Sequence, residues 1–249
     1  MRAVFLPGII APARVRYAAL LEHLREVDVL AKDLEVYAGD APPDGYSIAL
    51  EVEGVAAAAD RAGFDRFHLY GHSGGGAVAL AFAAAYPRRL LSLAVDEPAA
   101  DFTHEDLSDP YWKEFDKAGE LPPPDAMRAF MRLQVGPDVE LPSPPPGPPP
   151  AWMASRPAGI AAFVQALQAH HVDASSYRAV AVPVLFTSGT LSHRRWRDMD
   201  ARLAKLFPDY TSVVFDGLHH LNTSHQAEPA RVAELLQTLW SRAEAQASR

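Results

Sequence analysis

The chain carries one stretch that restricts its possible folds, a serine between glycines in the sequence Gly71-His72-Ser73-Gly74-Gly75. It matches the pattern G-x-S-x-G, in which a serine lies on a sharp turn between a strand and a helix. An apolar run over 67–70 precedes it and an alanine-rich run over 77–83 follows it, which supplies both elements. Side chains beside a serine on so tight a turn would clash, so the flanking glycines fit this interpretation.

The stretch therefore predicts a nucleophilic Ser73, with the free N–H groups of the following helix directed towards it. The competing interpretation is a glycine-rich turn that binds phosphate or merely closes a βα unit. The spacing matches neither the G-x-x-x-x-G-K-S/T pattern nor the dinucleotide fingerprint that follows an early strand.

Composition restricts the classes of protein further. The 249 residues are 49% apolar, enough for one large domain or a domain with an insertion. A net charge of −8 without a Lys/Arg cluster argues against a nucleic-acid partner, and the absence of cysteine excludes disulfides and thiolate chemistry. No apolar stretch approaches the roughly 18 residues of a membrane span, and Met1 to Leu6 is typical of a strand rather than a secretion signal. We therefore expect a cytoplasmic protein with no membrane partner.

Apolar runs alternate with helical periodicity along most of the chain. Strands are predicted at Ala3–Leu6, within Val27–Tyr37, and at Arg66–Tyr70, Leu91–Val95, Val182–Thr187 and Thr211–Phe215. Helices are predicted at Val15–Leu24, Ser47–Ala62, Gly74–Tyr86, Arg194–Phe207 and Pro229–Ala243. This alternation predicts an α/β fold with a mostly parallel sheet of about six strands and helices on both faces. In such sheets the ligand binds at the carboxyl ends of the strands.

The alternation breaks between residues 99 and 178, where eight prolines occur from Pro137 to Pro150 and exclude regular structure there. We predict a core of 1–98 and 179–249, and a helical, proline-rich insertion of 99–178 that covers the ligand edge as a lid. Its predicted helices are Asp109–Lys117, Asp125–Leu133 and Ala158–His170. Its large apolar residues suit an apolar substrate pocket: Trp112, Met127, Phe130, Met131, Trp152 and Phe163.

A serine nucleophile needs a base, and the base needs a third group to fix its tautomer. The segment Gly217-Leu218-His219-His220 follows the last predicted strand and places two histidines at the ligand edge. Because adjacent residues point in different directions, only one can face Ser73; we favour His220 over His219. Two adjacent histidines lack the spacing of metal ligands on one helix face, and no H-E-x-x-H pattern accompanies them, so we expect no metal. A serine nucleophile activated by a histidine base also needs no organic cofactor.

Together these segments resemble the α/β-hydrolase family over nearly the whole length. The resemblance rests on Phe5-Leu6-Pro7-Gly8-Ile9, the serine motif, Pro183-Val184-Leu185-Phe186 before Gly189, and Gly217 to His220. It implies an oxyanion hole formed by the N–H of Gly74 and that of Ile9, or of Ile10. It also implies that residues 99–178 occupy the position of the family's lid.

The sequence departs from the family at the acid of the triad. Ser192 stands about where the acid is expected, and Asp198 and Asp200 lie further on, inside a predicted helix. Zearalenone-lactonase-like hydrolases and some haloalkane dehalogenases of this fold take a glutamate from the strand end after the serine helix. Asp96-Glu97 ends that strand here. We favour Glu97 as the acid, then Asp96, then a residue near Ser192.

These residues predict a serine hydrolase that acts on a small, apolar carboxylic ester, lactone or thioester. The same fold also supports C–C hydrolases, lyases, cofactor-free peroxidases and non-catalytic ligand-binding proteins, so these remain alternatives. Nothing in the sequence indicates the oligomeric state.

Overall fold

In the computed structural model, residues 1–143 and 147–247 are described, apart from the side chains of residues 123 and 124. The sheet has six parallel strands in the order β2-β1-β3-β4-β5-β6. Their bounds are β1 Arg2–Leu6, β2 Asp28–Ala31, β3 Phe67–His72, β4 Leu90–Asp96, β5 Val184–Gly189 and β6 Tyr210–Phe215. The predicted parallel sheet of about six strands is confirmed. The strand order reverses between β1 and β3, which places the carboxyl end of β3 at the centre of the sheet.

Helices cover both faces of the sheet. They are α1 Ala13–Arg16, α2 Ala18–Glu22, α3 Ile48–Arg61, α4 Gly74–Ala85, α5 His104–Leu107, α6 Tyr111–Gly119, α7 Pro123–Leu133, α8 Arg156–Ala169, α9 Ala174–Arg178, α10 Arg195–Leu206, α11 Ser224–Ala227 and α12 Pro229–Ala247. Side chains of β1 alternate between two apolar cores: Val4 and Leu6 pack on the α3 and α4 side, and Ala3 and Phe5 on the α12 side. No helix in the described residues has both the length and the apolarity to cross a bilayer.

Residues 99–178 form a layer of helices, α5 to α9, joined to the core by several hydrogen bonds. Arg156 Nε donates to the carbonyl of Ile10, Arg195 Nη1 donates to that of Ala99, and Gly136 N–H donates to that of Leu191. Residues 144–146 of the predicted proline-rich segment lie outside the described residues. The predicted helices of this segment are present as α6, α7 and α8.

Gly75, at the start of α4, packs against the end of β1, where a side chain has no room. A Cβ there would lie 2.3 Å from the carbonyl oxygen of Leu6 and 2.4 Å from that of Pro7. Gly75→Ala gains about 1 kcal/mol of helix propensity but forces two backbone segments apart, at a cost of about 1–3 kcal/mol in similar overpacked sites. Because backbone atoms in a sheet cannot move aside as a flexible side chain can, we expect the clash to dominate.

Thermal unfolding should therefore show a Tm for Gly75→Ala several degrees below that of the wild-type protein. Gly119→Ala is the matched control, because a Cβ at Gly119 meets nothing within 4 Å. A Gly75→Ala protein as stable as Gly119→Ala would contradict this account of the turn.

Candidate active site

Ser73 lies on the turn between β3 and α4, at the carboxyl edge of the sheet. Its backbone has φ 52° and ψ −117°, a conformation that residues with side chains rarely adopt. Two hydrogen bonds hold the turn: Ser73 N–H donates to the carbonyl of Asp96, and Gly75 N–H donates to that of Pro7. The side chain of Ser73 is thereby fixed above the edge, where strained residues often have a functional role.

The structure brings together three of the residues singled out in the sequence. Ser73 Oγ lies 2.9 Å from His220 Nε2, and His220 Nδ1 lies 2.8 Å from Glu97 Oε2. His220 and Glu97 are buried. With the proton on Nδ1 donated to Glu97, Nε2 is free to accept the proton of Ser73.

His219 has a different role from that of His220. Its Nδ1 accepts N–H groups from Leu221 and Asn222, at 3.2 and 3.1 Å, and so closes the turn after β6. The two adjacent histidines point in different directions, and the described contacts join only His220 to Ser73.

Glu97 is held at the end of β4 by the residues that follow β5. Glu97 Oε1 accepts the N–H of Gly189 at 2.7 Å and the hydroxyl of Ser192. A Cβ on Gly189 would lie 2.1 Å from the carbonyl oxygen of Leu218, so only glycine allows this approach. Ser192, at the position where the family resemblance places an acid, donates instead to an acid from the neighbouring strand.

Asp96 belongs to a separate buried network. Its carboxylate accepts hydrogen bonds from His225 Nδ1 at 3.0 Å, Thr187 Oγ1 at 2.8 Å and Ser224 Oγ at 3.2 Å. Asp198 is exposed, and Asp200 accepts hydrogen bonds from Tyr210 and Ser212. The described contacts connect none of these three aspartates to His220.

Asp96, His72 and His225 offer three potential metal-ligand atoms within 4.8 Å of one another. These atoms are engaged within the protein. Arg16 Nη2 donates to His72 Nε2 at 2.8 Å, and His72 Nδ1 lies 3.1 Å from the carbonyl of Asp96. Since a guanidinium takes up one of the candidate ligand nitrogens, the group does not suit a cation.

The N–H groups of Gly74 and Ile9 lie next to Ser73. A Cβ placed on Gly74 would be 3.5 Å from Ile9 N, which shows how closely the two segments approach. Neither N–H finds an acceptor within the described residues. Tyr37 donates to the carbonyl of Ile9 at 2.8 Å, which fixes the loop from behind. Ile9, unlike Ile10, also lines the cavity that contains Ser73.

The surroundings of His220 favour its neutral form. Burial and the charge of Arg16 lower the pKa of His220 to about 3, so the imidazole is a free base at neutral pH. One face of the ring stacks on Trp196, with centroids 4.4 Å apart and planes 10° apart. Burial and the neighbouring Asp96 raise the pKa of Glu97, whereas the donors Ser192 and Gly189 oppose that rise.

The hydroxyl of Ser192 gives a prediction on pH dependence. Ser192→Ala removes a donor from the carboxylate, so the pKa of Glu97 should rise further. The Glu97–His220 pair would then take up its proton at a higher pH, so the acid limb of the kcat/KM profile should shift towards higher pH. Ser192→Thr keeps a hydroxyl and should leave the limb near its original position. An unshifted limb in Ser192→Ala would refute this role.

Ser73 opens into a narrow cavity with about 400 Å³ of space between atoms, part of which is open solvent at its mouth. Most of the lining is apolar and comes from α6, α7 and α8, while polar groups are contributed by Ser73, Tyr111, Gln134 and Arg195. Of the predicted pocket residues, Trp112, Phe130 and Phe163 line this cavity. Met127, Met131 and Trp152 are not part of its lining, and Trp152 lies beside Arg156 instead.

Several residues of this region were not identified from the sequence. Trp196, Tyr37 and Arg195 each act through contacts between segments far apart in the chain. No motif marks them, and their positions depend on how the insertion meets the sheet. Ser192 was noticed in the sequence because it stands where the family pattern has an acid. That position indicated only that the acid was missing, and not that Ser192 donates to Glu97.

Comparison with known proteins identifies a family with this kind of sheet. A sequence profile described as the alpha/beta hydrolase family matches residues 3–235. No curated protein matches the chain in sequence.

Solved structures of several enzymes resemble the chain in fold. A thermophilic esterase from Thermogutta terrifontis is 18% identical, with a TM-score of 0.70 over 98% of this chain and 90% of that one. Naproxen esterase from Bacillus subtilis is 16% identical, with a TM-score of 0.66 over 96% and 83%. Proline iminopeptidase from Mycobacterium smegmatis is 21% identical, with a TM-score of 0.63 over 99% and 91%. At these identities the similarity concerns the fold alone.

Proposed function

Because the chain belongs to the alpha/beta hydrolase family, we propose that it is a serine hydrolase that cleaves a carboxylic ester, a lactone or a thioester. One observation carries this proposal: a continuous line of contacts runs from Ser73 through His220 to Glu97, beside two N–H groups that have no acceptor among the described residues. A nucleophile, a base, an orienting acid and donors for an oxyanion are the parts that acyl transfer needs.

In the first half of the reaction Ser73 Oγ attacks the carbonyl carbon while His220 Nε2 takes its proton. The carbonyl oxygen becomes an oxyanion, which the N–H groups of Gly74 and Ile9 stabilise; in comparable sites the loss of one donor costs about 3–4 kcal/mol. Glu97 stabilises the imidazolium that forms. His220 then gives the proton to the leaving oxygen or sulfur, and an ester of Ser73 remains.

In the second half water replaces the leaving group. His220 takes a proton from the water, the hydroxide attacks the acyl carbon, and the same N–H groups hold the second oxyanion. His220 then returns the proton to Ser73 Oγ, and the carboxylic acid leaves. No step of this route needs a metal or an organic cofactor.

The cavity supports a small, mainly apolar substrate. Trp112, Phe115 and Phe163 present aromatic surface next to the nucleophile, and such surface favours acyl chains or rings over charged groups. We take residues 99–178 as the lid over this pocket, since α6, α7 and α8 supply most of its wall. That the structural relatives include two esterases agrees with this substrate class.

Active-site labelling tests the proposal. A fluorophosphonate should react stoichiometrically with the folded protein, and peptide mapping should locate the modification on Ser73. The unmodified protein should also hydrolyse a panel of p-nitrophenyl esters and simple lactones, with an initial burst of p-nitrophenol as the acyl-enzyme accumulates. A folded protein that takes up no label and turns over no ester would instead be a ligand-binding member of the family.

A further inference from the structure

A cluster of polar side chains is built into the wall of the apolar cavity. Arg195, Tyr111 and Gln134 line it together with Ser73, and all three are buried. Gln134 Nε2 donates to the Tyr111 hydroxyl at 3.2 Å, and the Arg195 guanidinium lies 4.1 Å from the centre of the Tyr111 ring. A pocket for a plain hydrocarbon chain would not require these groups.

Hydrogen-bond donors remain unused in this cluster. Arg195 Nη1 donates to the carbonyl of Ala99 at 2.7 Å and Nη2 to Asp106 at 2.8 Å, but Nε finds no partner in the described part of the chain. The Tyr111 hydroxyl accepts from Gln134, and no acceptor for its own proton occurs within the described residues. Buried donors are rarely left unpaired in proteins, so the cluster suits a ligand that brings an acceptor oxygen.

The charges around the cluster indicate which kind of acceptor fits. Arg195 pairs with Asp106, and Arg202 pairs with Asp101 at 2.9 Å and with Asp106 at 3.3 Å. Two cations and two carboxylates cancel, so no net positive charge is left to attract an anion. An uncharged carbonyl or hydroxyl oxygen accepts a hydrogen bond here without adding an uncompensated charge to a buried site.

We propose that Arg195 and Tyr111 bind an uncharged oxygen on the acyl part of the substrate, which makes the preferred substrate an oxygenated ester or lactone rather than a plain alkanoate. This inference rests on the proposed function, because the subsite and the nucleophile share one cavity. Arg195 then determines specificity, in addition to joining α10 to residues 99–106.

Paired substrates test the proposal. A series of p-nitrophenyl oxoalkanoates, with the ketone moved stepwise along the chain, is compared with alkanoates of the same length. At the ketone position that reaches the cluster, the wild-type kcat/KM should exceed that of the alkanoate by about tenfold or more, as expected for a hydrogen bond to a charged donor. The ratio is taken within one protein preparation, so the amount of folded enzyme cancels.

Three variants separate specificity from stability. Arg195→Met should abolish the preference, whereas Arg202→Met loses an ion pair to the same Asp106 and should retain it. Arg195→Lys, which keeps a cation beside Asp106, should fold even where methionine does not, and should also lose most of the preference.

Three results would overturn the proposal: equal rates for the paired esters in the wild-type protein, a preference that survives in both Arg195 variants, or a stronger preference for esters with a terminal carboxylate. Absence of all ester turnover and of fluorophosphonate labelling would instead refute the serine hydrolase itself.

Discussion

Ser73→Ala should lose ester turnover by a factor on the order of 10⁶, the scale seen when a triad nucleophile is removed. The hydroxyl at 2.9 Å from His220 Nε2 is the only group that the described contacts present to this base as a nucleophile. KM should change far less than kcat, because the cavity wall and the N–H groups of Gly74 and Ile9 are untouched. Steady-state kinetics on a p-nitrophenyl ester, together with fluorophosphonate labelling, measure both effects.

Ser73→Gly is the matched variant for this experiment. Both replacements remove the hydroxyl, but only glycine adopts φ 52° without strain. Ser73→Gly should therefore be equally inactive and more stable than Ser73→Ala by about 1 kcal/mol, since relief of a strained residue exceeds the added chain entropy. Residual turnover or labelling in either variant would show that the nucleophile lies elsewhere. Equal stability would contradict the strained turn.

The core of the fold could be predicted because its signals are local. Each central strand is an apolar run followed by a turn, and α3 begins at a serine cap, where Ser47 accepts the N–H of Leu50. The predicted helix 15–24 is wrong in one respect: it divides into α1 and α2 at Tyr17. The hydroxyl of Tyr17 donates to the carbonyl of Leu6 on β1, and its backbone leaves the helical conformation there.

The second strand also differs from its prediction because of a contact between residues far apart in the chain. The predicted segment 27–37 forms a strand only over β2, and residues Glu35–Tyr37 form a short helical turn. The buried carboxylate of Glu51 accepts the N–H groups of Glu35 and Val36, at 2.8 and 3.0 Å. A contact between residues 16 apart, on different elements, leaves no periodic pattern in the sequence.

In the candidate site, too, the residues marked by local signals could be predicted and those placed by contacts between distant segments could not. Ser73 and His220 follow from motifs and from their places at strand ends, and Glu97 follows from a strand end plus a family resemblance. Local signals could not indicate how Glu97 is held in place. Its backbone is left-handed, with φ 45°, and its carboxylate accepts the N–H of Gly189 and the hydroxyl of Ser192. These groups meet only when β4 and β5 pair.

Glu97→Gln should lower kcat by a factor on the order of 10⁴. The amide oxygen of glutamine best faces Gly189 N–H and the Ser192 hydroxyl, which leaves its NH₂ group opposite His220 Nδ1. His220 Nδ1 must then accept a hydrogen bond from this NH₂ group, so the imidazole proton moves to Nε2. In this tautomer Nε2 cannot take the proton of Ser73, and no carboxylate stabilises the imidazolium. Steady-state kinetics should show the loss in kcat, with KM and Tm little changed.

Asp96→Asn is the decisive comparison, because Asp96 is the competing acid one residue away. Its carboxylate bonds His225, Thr187 and Ser224 rather than His220. The substitution should therefore lower stability while kcat falls far less than in Glu97→Gln. Asp198→Asn, at an exposed position, should change neither quantity. A near-normal kcat in Glu97→Gln, combined with a collapse in Asp96→Asn, would transfer the orienting role to Asp96. Comparable losses in both would mean that the two carboxylates act as one unit behind His220.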